Sequence, residues 1–431
     1  MKNFNLLILL VLLTFLSCGK DDDGHSNNES ATPIIMAHGF LASGDTYANQ
    51  KMRFEANGYC TDCIFAYDWN SISQAGDRVG DLDAFINEVL QKTGATEVNL
   101  VGHSAGGGLG YDYLEDANRA SKVKSFAYVG SRPDRNDQAG PNGEVPTLNL
   151  WSSDDQTVTG GNIPNAENVM LTGADHYQVA TNEEAFIEMY KFFNDGKMPE
   201  TTSFENGGST AKISGKVLTL GENKSISNAD IRIFELDEMG NKTSSSPNHT
   251  VKSNSKGLWG PVNLSKSKNH VFEVNTNIPG DRKLFYYREA FKADNSLVYL
   301  RTFPPANTLP GLLLSNIPEN DEQAVVIVFT ANQAVVAGRD NLIVDNTTLS
   351  IPEFASAEQT SIAFFLYDGN NNQETDLESV GLFEQAPFLA GVDMFFQTET
   401  PNQIECSFNQ RSIFVKNRKS ESEGISIVVF D

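Results

Sequence analysis

The sequence predicts a mostly parallel β-sheet flanked by helices over residues 32–197, followed, after a linker at 198–210, by an all-β sandwich or barrel region over 211–431. Three observations predict it. Apolar, β-favouring runs alternate with helix-periodic segments as far as Phe193. A stretch holding Asp195-Gly196, Pro199 and Gly207-Gly208 then breaks the pattern. Beyond Ala211 amphipathic helices disappear, and short β-type runs alternate with Asn/Ser/Gly turns. A length of 431 residues is ample for two or three hydrophobic cores.

In the first half, residues 33–37 read as a buried strand that runs straight into His38-Gly39-Phe40-Leu41-Ala42-Ser43-Gly44. A helix is predicted over 47–57, with Met52, Phe54 and Ala56 available for packing and Gly58 as its stop. A strand over 64–67 follows, then a helix over 77–93 in which Val79, Leu82, Ile86, Val89 and Leu90 recur at helical spacing before Gly94 as C-terminal cap. The next strand, 98–101, enters a sharp turn and a helical segment reaching Leu114. Strands are expected at 123–129, 147–151 and 169–171, then a last helix opened by a Thr181/Glu184 capping box, with Phe186, Tyr190 and Phe193 on one face. Such alternation implies parallel strands whose C-terminal ends carry the site. In the second half the β-type runs include 212–220, 230–235, 270–275, 284–287, 324–329, 361–367 and 425–430, enough for one β domain or two. No fixed-period repeat suggests a propeller or solenoid.

A formal net charge of −24 opposes binding to a phosphate backbone, and no local basic patch offsets it, so no nucleic-acid partner is expected. A neutral ester or an apolar surface remains compatible. Residues 1–17 read as an export signal, with Lys2 before an apolar run from Leu6 to Leu16 that is too short to span a bilayer. Phe15-Leu16-Ser17-Cys18 resembles a bacterial lipobox, which implies acylation of Cys18 and attachment to a membrane, the outer membrane or cell surface; a plain secretory signal is the alternative. Residues 18–31, with Asp21-Asp22-Asp23, read as a flexible tether. Of the other cysteines, Cys60 and Cys63 are expected to bridge locally rather than to act in redox chemistry. No metal or cofactor is expected, and Asp134 to Asp137 read as a solvated loop.

The chemistry is concentrated at Gly102-His103-Ser104-Ala105-Gly106, a G-x-S-x-G pattern between a predicted strand and a predicted helix. Serine at the tip of so sharp a turn leaves no room for side chains two positions away, which Gly102 and Gly106 satisfy. Ser104 is therefore a candidate nucleophile. Acyl transfer also needs a base, a carboxylate to hold that base, and N–H donors for an oxyanion. Six histidines are available, and His176 follows the last predicted strand, so it is the expected base. Asp155 is preferred to Asp154 as the acid because Val158 lies three residues beyond it. The expected oxyanion donors are the backbone N–H groups of Phe40 and Ala105, with His38 and Gly39 shaping the loop.

These residues lie in segments that resemble small bacterial triacylglycerol lipases: Met36-Ala37-His38-Gly39, Thr93-Gly94-Ala95-Thr96-Glu97-Val98, Gly102-His103-Ser104-Ala105-Gly106-Gly107, Trp151-Ser152-Ser153-Asp154-Asp155 and Gly173-Ala174-Asp175-His176. Across both halves the chain is similar to an archaeal lipase with a C-terminal β domain, through Met52-Arg53-Phe54-Glu55-Ala56-Asn57-Gly58-Tyr59, Ile213-Ser214-Gly215-Lys216 and Tyr286-Tyr287-Arg288-Glu289-Ala290-Phe291. The resemblance implies an α/β-hydrolase fold, a carboxylesterase or lipase activity on acylglycerols or related acyl esters, and a β region that helps bind lipid. No long lid insertion separates Tyr67 from Asp77. Two other functions fit parts of the sequence: a polysaccharide deacylase, and a surface-anchored binding protein on an inactive hydrolase fold. Oligomeric state is not readable. Removing residues 205–431 is expected to spare short-chain esters and to impair water-insoluble ones.

Overall fold

In the computed structural model, residues 32–431 are described apart from 74, 382, 384, 385 and 399–402. The export signal, the tether and Cys18 lie outside the described residues. The first half contains β1 (Ile34–Ala37), α1 (Ala48–Ala56), β2 (Ile64–Tyr67), α2 (Arg78–Thr93), β3 (Val98–His103), α3 (Ala105–Leu114), α4 (Ala117–Ala120), β4 (Val123–Val129), β5 (Thr147–Ser152), β6 (Glu167–Leu171), α5 (Gln178–Thr181) and α6 (Glu183–Phe193). The six strands form one wholly parallel sheet in the order β2-β1-β3-β4-β5-β6. Both faces are covered, one by α2 and α3 through Leu82, Ile86, Leu109 and Tyr113, the other by α1, α5 and α6 through Phe54, Val179 and Phe186. This is why the strands read as near-continuous apolar runs. Asp77 caps α2 by accepting from Gly80 N–H, and Gly94 ends it at φ 71.

Two local expectations fail. The cap of α6 is Asn182, whose side chain accepts from Ala185 N–H; Thr181 instead ends α5 and donates its hydroxyl to Asn332 O of the second half. In α1 Ala56 is exposed, while Lys51 and Arg53 are buried. Their polar ends find partners: Lys51 Nζ donates to Thr61 O and Ile64 O, and Arg53 reaches Thr181 O and Thr202 O of the linker. A helix covered on two sides does not show a simple apolar stripe.

The second half contains β7 (Thr210–Thr219), β8 (Asp230–Leu236), β9 (His249–Lys252), β10 (Leu258–Ser265), β11 (Asn269–Asn275), β12 (Leu284–Arg288), β13 (Leu300–Thr302), the short helix α7 (Leu309–Leu314), β14 (Val326–Thr330), β15 (Leu342–Val344), β16 (Thr347–Thr348), β17 (Ala363–Tyr367), β18 (Leu389–Asp393), β19 (Gln403–Phe408), β20 (Arg411–Lys416) and β21 (Ile425–Phe430). They build three layers. An eight-stranded sheet, β18-β17-β14-β21-β12-β11-β8-β9, lies between the three-stranded β10-β7-β13 and the four-stranded β16-β15-β19-β20. Alternate residues of the central strands supply two cores: Ile427 and Tyr286 face one outer sheet, Val428 and Tyr287 the other. Among the described residues the region is thus all-β in its sheets, with the short helix α7 inserted, and its two sandwiches share a sheet.

His270, on β11, is fully buried with neither ring nitrogen hydrogen-bonded, and burial pushes it down from 6.5 to about 4. The unfolded chain therefore takes up a proton at this residue over a pH window in which the folded chain does not, so stability falls as pH drops from about 6.5 to about 4. His270→Leu is expected to raise stability by about 1–2 kcal/mol by removing an unsatisfied polar ring. Thermal unfolding should show a higher midpoint and a shallower decline across that window. An unchanged acid decline would refute this.

Candidate active site

Ser104 occupies the turn between β3 and α3 with φ 52 and ψ −117, a conformation L-residues rarely adopt. Three glycines allow it. A methyl group on Gly102 would strike the backbone of Gly106, one on Gly106 would strike the carbonyls of Ala37 and His38, and one on Gly39 would press on the Ser104 Cβ at 3.1 Å. The turn puts Ser104 at the N-terminus of α3, where the N–H of Ala105 has no acceptor within the helix.

The structure brings Asp155 and His176 together at the C-terminal end of the sheet. Asp155 Oδ2 accepts from His176 Nδ1 at 2.7 Å, and its Oδ1 accepts the N–H groups of Thr157 and Val158, both at 2.9 Å. Nδ1 therefore carries a proton, and the lone pair of the neutral ring sits on Nε2. Nε2 is buried without a hydrogen-bond partner, the Ser104 hydroxyl included, and His176 lines the same cavity as Ser104. Asp154 does not approach the ring; it accepts from Gly173 N–H and Ser153 Oγ, bracing the loop instead.

His103 and His38 hold the two loops beside Ser104. His103 donates from Nε2 to the carbonyl of His176 at 2.9 Å, fixing the backbone of the candidate base. Burial, and then the neighbouring His176, hold His103 far below the ordinary histidine range, so it stays neutral. His38 donates from Nδ1 to Gly39 O at 2.8 Å and accepts at Nε2 from Trp69 N–H and Asn223 Nδ2. Burial lowers its pKa too. Phe40 N–H, the second expected oxyanion donor, makes no backbone hydrogen bond. Cys60 and Cys63 form a disulfide beside β2, away from this cavity. Among the described residues no three His, Cys, Asp or Glu side chains group as a metal site would need.

The second half forms much of the site's wall, which the first half of the sequence could not reveal. The cavity, about 600 Å³, is bounded by Phe40, Leu41 and Met52 on one side and by Phe329, Ile362 and Phe388 on the other. The Phe388 ring stacks on His176, 5.9 Å between centroids and 12° apart. The Thr360 hydroxyl meets that of Thr157 in the acid loop at 2.6 Å, and Arg339 pairs with Asp175 at 2.8 Å. Arg301 bonds Ser43 Oγ at 2.7 Å and Asp45 at 2.6 Å behind the oxyanion loop. Phe388 and Thr360 hold φ values of 70 and 53, strained backbone at the points where the second half touches the acid and base loops. Those positive-φ contacts carry no sequence signal, because neither residue is glycine or asparagine.

Solved structures similar to the chain include a predicted CIB-like hydrolase from Thermoplasma acidophilum (16% identity, 39% of this chain and 88% of that one, TM-score 0.30). A lipase from Bacillus licheniformis (16%, 38% and 92%, 0.30) and lipase B of Aspergillus fumigatus (14%, 41% and 55%, 0.32) are also similar to it. Among family models, the α/β hydrolase fold matches residues 32–139, the lipase C-terminal domain matches residues 209–305, and a further C-terminal domain matches residues 317–431. With the six-stranded parallel sheet, these matches give the chain an α/β hydrolase fold followed by a segment that matches a lipase C-terminal domain.

Proposed function

We propose that the protein is a serine carboxylic-ester hydrolase, lipase-like, that cleaves acyl esters through an acyl-enzyme. The observation that carries the reading is the Asp155–His176 bond of 2.7 Å, with the imidazole's free Nε2 in the cavity lined by Ser104. In this reading Ser104 Oγ attacks the ester carbonyl as His176 Nε2 takes its proton, and Asp155 stabilises the imidazolium that forms. The carbonyl oxygen becomes an anion facing the N–H groups of Phe40 and Ala105. Collapse breaks the C–O bond, His176 returns the proton to the departing alcohol, and water activated by the same histidine releases the acid. The apolar side chains of the cavity suit the hydrocarbon part of an acyl ester. The N-terminal apolar run and Cys18 support export and lipid attachment at the outer membrane or cell surface.

A fluorophosphonate probe is expected to label the mature chain, and peptide mapping to find the adduct on Ser104. p-Nitrophenyl acyl esters should be turned over by the same preparation. A chain that takes no label and hydrolyses no ester would be a binding protein on a hydrolase fold.

A further inference from the structure

We infer that Asn223, in the turn between β7 and β8, is a positioning residue for the oxyanion loop, so that the site is completed by a side chain from outside the hydrolase half. The inference rests on the ester-hydrolase reading above.

Asn223 is buried between the halves. Its backbone is left-handed, φ 57, and its N–H donates to Thr219 O at the end of β7, which anchors the side chain to the second half. Its Nδ2 lies 2.8 Å from Ala42 O, 3.0 Å from Trp69 O and 3.0 Å from His38 Nε2. Two of those three atoms are carbonyl oxygens, which can only accept, so the amide must turn its NH2 end toward all three. Trp69 N–H also points at His38 Nε2, so that nitrogen is the acceptor of the ring and its proton resides on Nδ1. The Asn223 Oδ1 is buried with no partner, so only the donor end of the amide is used.

The consequence passes along the peptide. His38 Nδ1–H holds Gly39 O, and Gly39 O belongs to the same planar unit as Phe40 N–H. Fixing the direction of that carbonyl fixes the direction of the N–H opposite it. Asn223 thus joins Trp69 N–H in holding the tautomer and tilt of His38, His38 sets the Gly39–Phe40 peptide plane, and that plane aims the donor at the developing oxyanion. Ala42 O, the other end of the five-residue loop, is held by the same amide. Ala42 N–H returns to Gly39 O at 3.4 Å, so both ends of the loop converge on one carbonyl. A donor that acts only on the oxyanion lowers the transition state without tightening ground-state binding.

The test compares wild type with Asn223→Asp, near-isosteric but with an acceptor facing two carbonyls, and Asn223→Gly, which removes the amide while tolerating the left-handed backbone. Asn228→Gly serves as control, since Asn228 is also left-handed, at φ 57, but is exposed. With a p-nitrophenyl butyrate substrate, kcat is expected to fall about 10- to 100-fold in both Asn223 variants, somewhat less than loss of the donor itself, with KM within about threefold. Affinity for an alkyl trifluoromethyl ketone, whose serine adduct bears the oxyanion, should fall by the same factor. The control should match wild type, and thermal unfolding should confirm folded proteins; if the Asp variant unfolds, the Gly variant decides. Folded variants that keep wild-type kcat, or lose kcat while binding the ketone unchanged, overturn the role of Asn223 and leave the ester-hydrolase reading standing. A wild-type protein that neither hydrolyses the ester nor binds the ketone overturns both.

Discussion

His176→Ala is expected to lower kcat on a p-nitrophenyl ester by about 10⁴- to 10⁶-fold, and adding Ser104→Ala to cost almost nothing more. The reason is that serine and histidine perform one proton-coupled step. Without Nε2 the hydroxyl has nowhere to send its proton, and without the hydroxyl the imidazole has no proton to take. Asp155→Ala should cost less, about 10⁴-fold, because a ring that has lost its carboxylate still carries a lone pair part of the time. The neighbouring Asp154→Ala should stay within a few-fold of wild type, since its carboxylate braces Gly173 rather than the ring. Comparing all four variants under saturating substrate measures this. Additive losses for the Ser104/His176 pair, or equal losses for the two aspartates, would contradict the proposed division of roles.

Removing residues 205–431 is expected to abolish turnover of every ester, soluble or not, and to leave an aggregation-prone protein. This reverses the expectation drawn from sequence. Three largely buried carboxylates of the hydrolase half have cationic partners supplied by the other half, Asp45 by Arg301, Asp68 by Lys216 and Asp175 by Arg339, and the exposed Glu88 meets Lys256. Without those cations the segments that carry Asp45, Asp68 and Asp175 lose the contacts that fix them beside the site. The truncation also bares the apolar cavity wall at Phe40, Leu41 and Met52 and removes Phe388 from His176. Soluble yield and turnover of a short-chain ester by residues 32–204 measure it. A soluble fragment retaining more than about a tenth of the short-chain activity would show instead that the halves work separately.

How much of this was legible follows from where the constraints lie. The inner hydrolase strands came through because both faces are covered, so each is a near-continuous apolar run, and the α2 boundaries because Asp77 and Gly94 are chemically committed caps. Ser104, Asp155 and His176 were selected by order along the chain together with strand ends; Asp155 and His176 are hydrogen-bonded, and His176 and Ser104 line one cavity. In the β region, central strands such as β12, β17 and β21 were visible and outer ones such as β9, β19 and β20 were not. The outer strands bury one side only, and residues such as Glu405, Lys416 and Lys252 interrupt their apolar pattern. Asn223, Arg301 and Phe388 were invisible for a different reason. Each acts on a loop far away in sequence, and an asparagine in a Gly-Glu-Asn-Lys turn looks like any other turn residue.

The order of the eight-stranded sheet bears on when such a site can exist. β21 pairs in parallel with β12 on one side and β14 on the other, so the sheet's middle is filled by a strand synthesised after both of its neighbours. Until residues 425–430 arrive, β12 and β14 face each other across a gap with unpaired edges, the state most open to wrong pairing between chains. Thr360 and Phe388, which meet the acid and base loops, adjoin β17 and β18 on the β14 side of that gap, whereas β12, β11 and β8 lie on the other side. On the ester-hydrolase reading, a nascent copy paused before β21 is expected to be inactive, because the strand that joins β12 to β14 is missing.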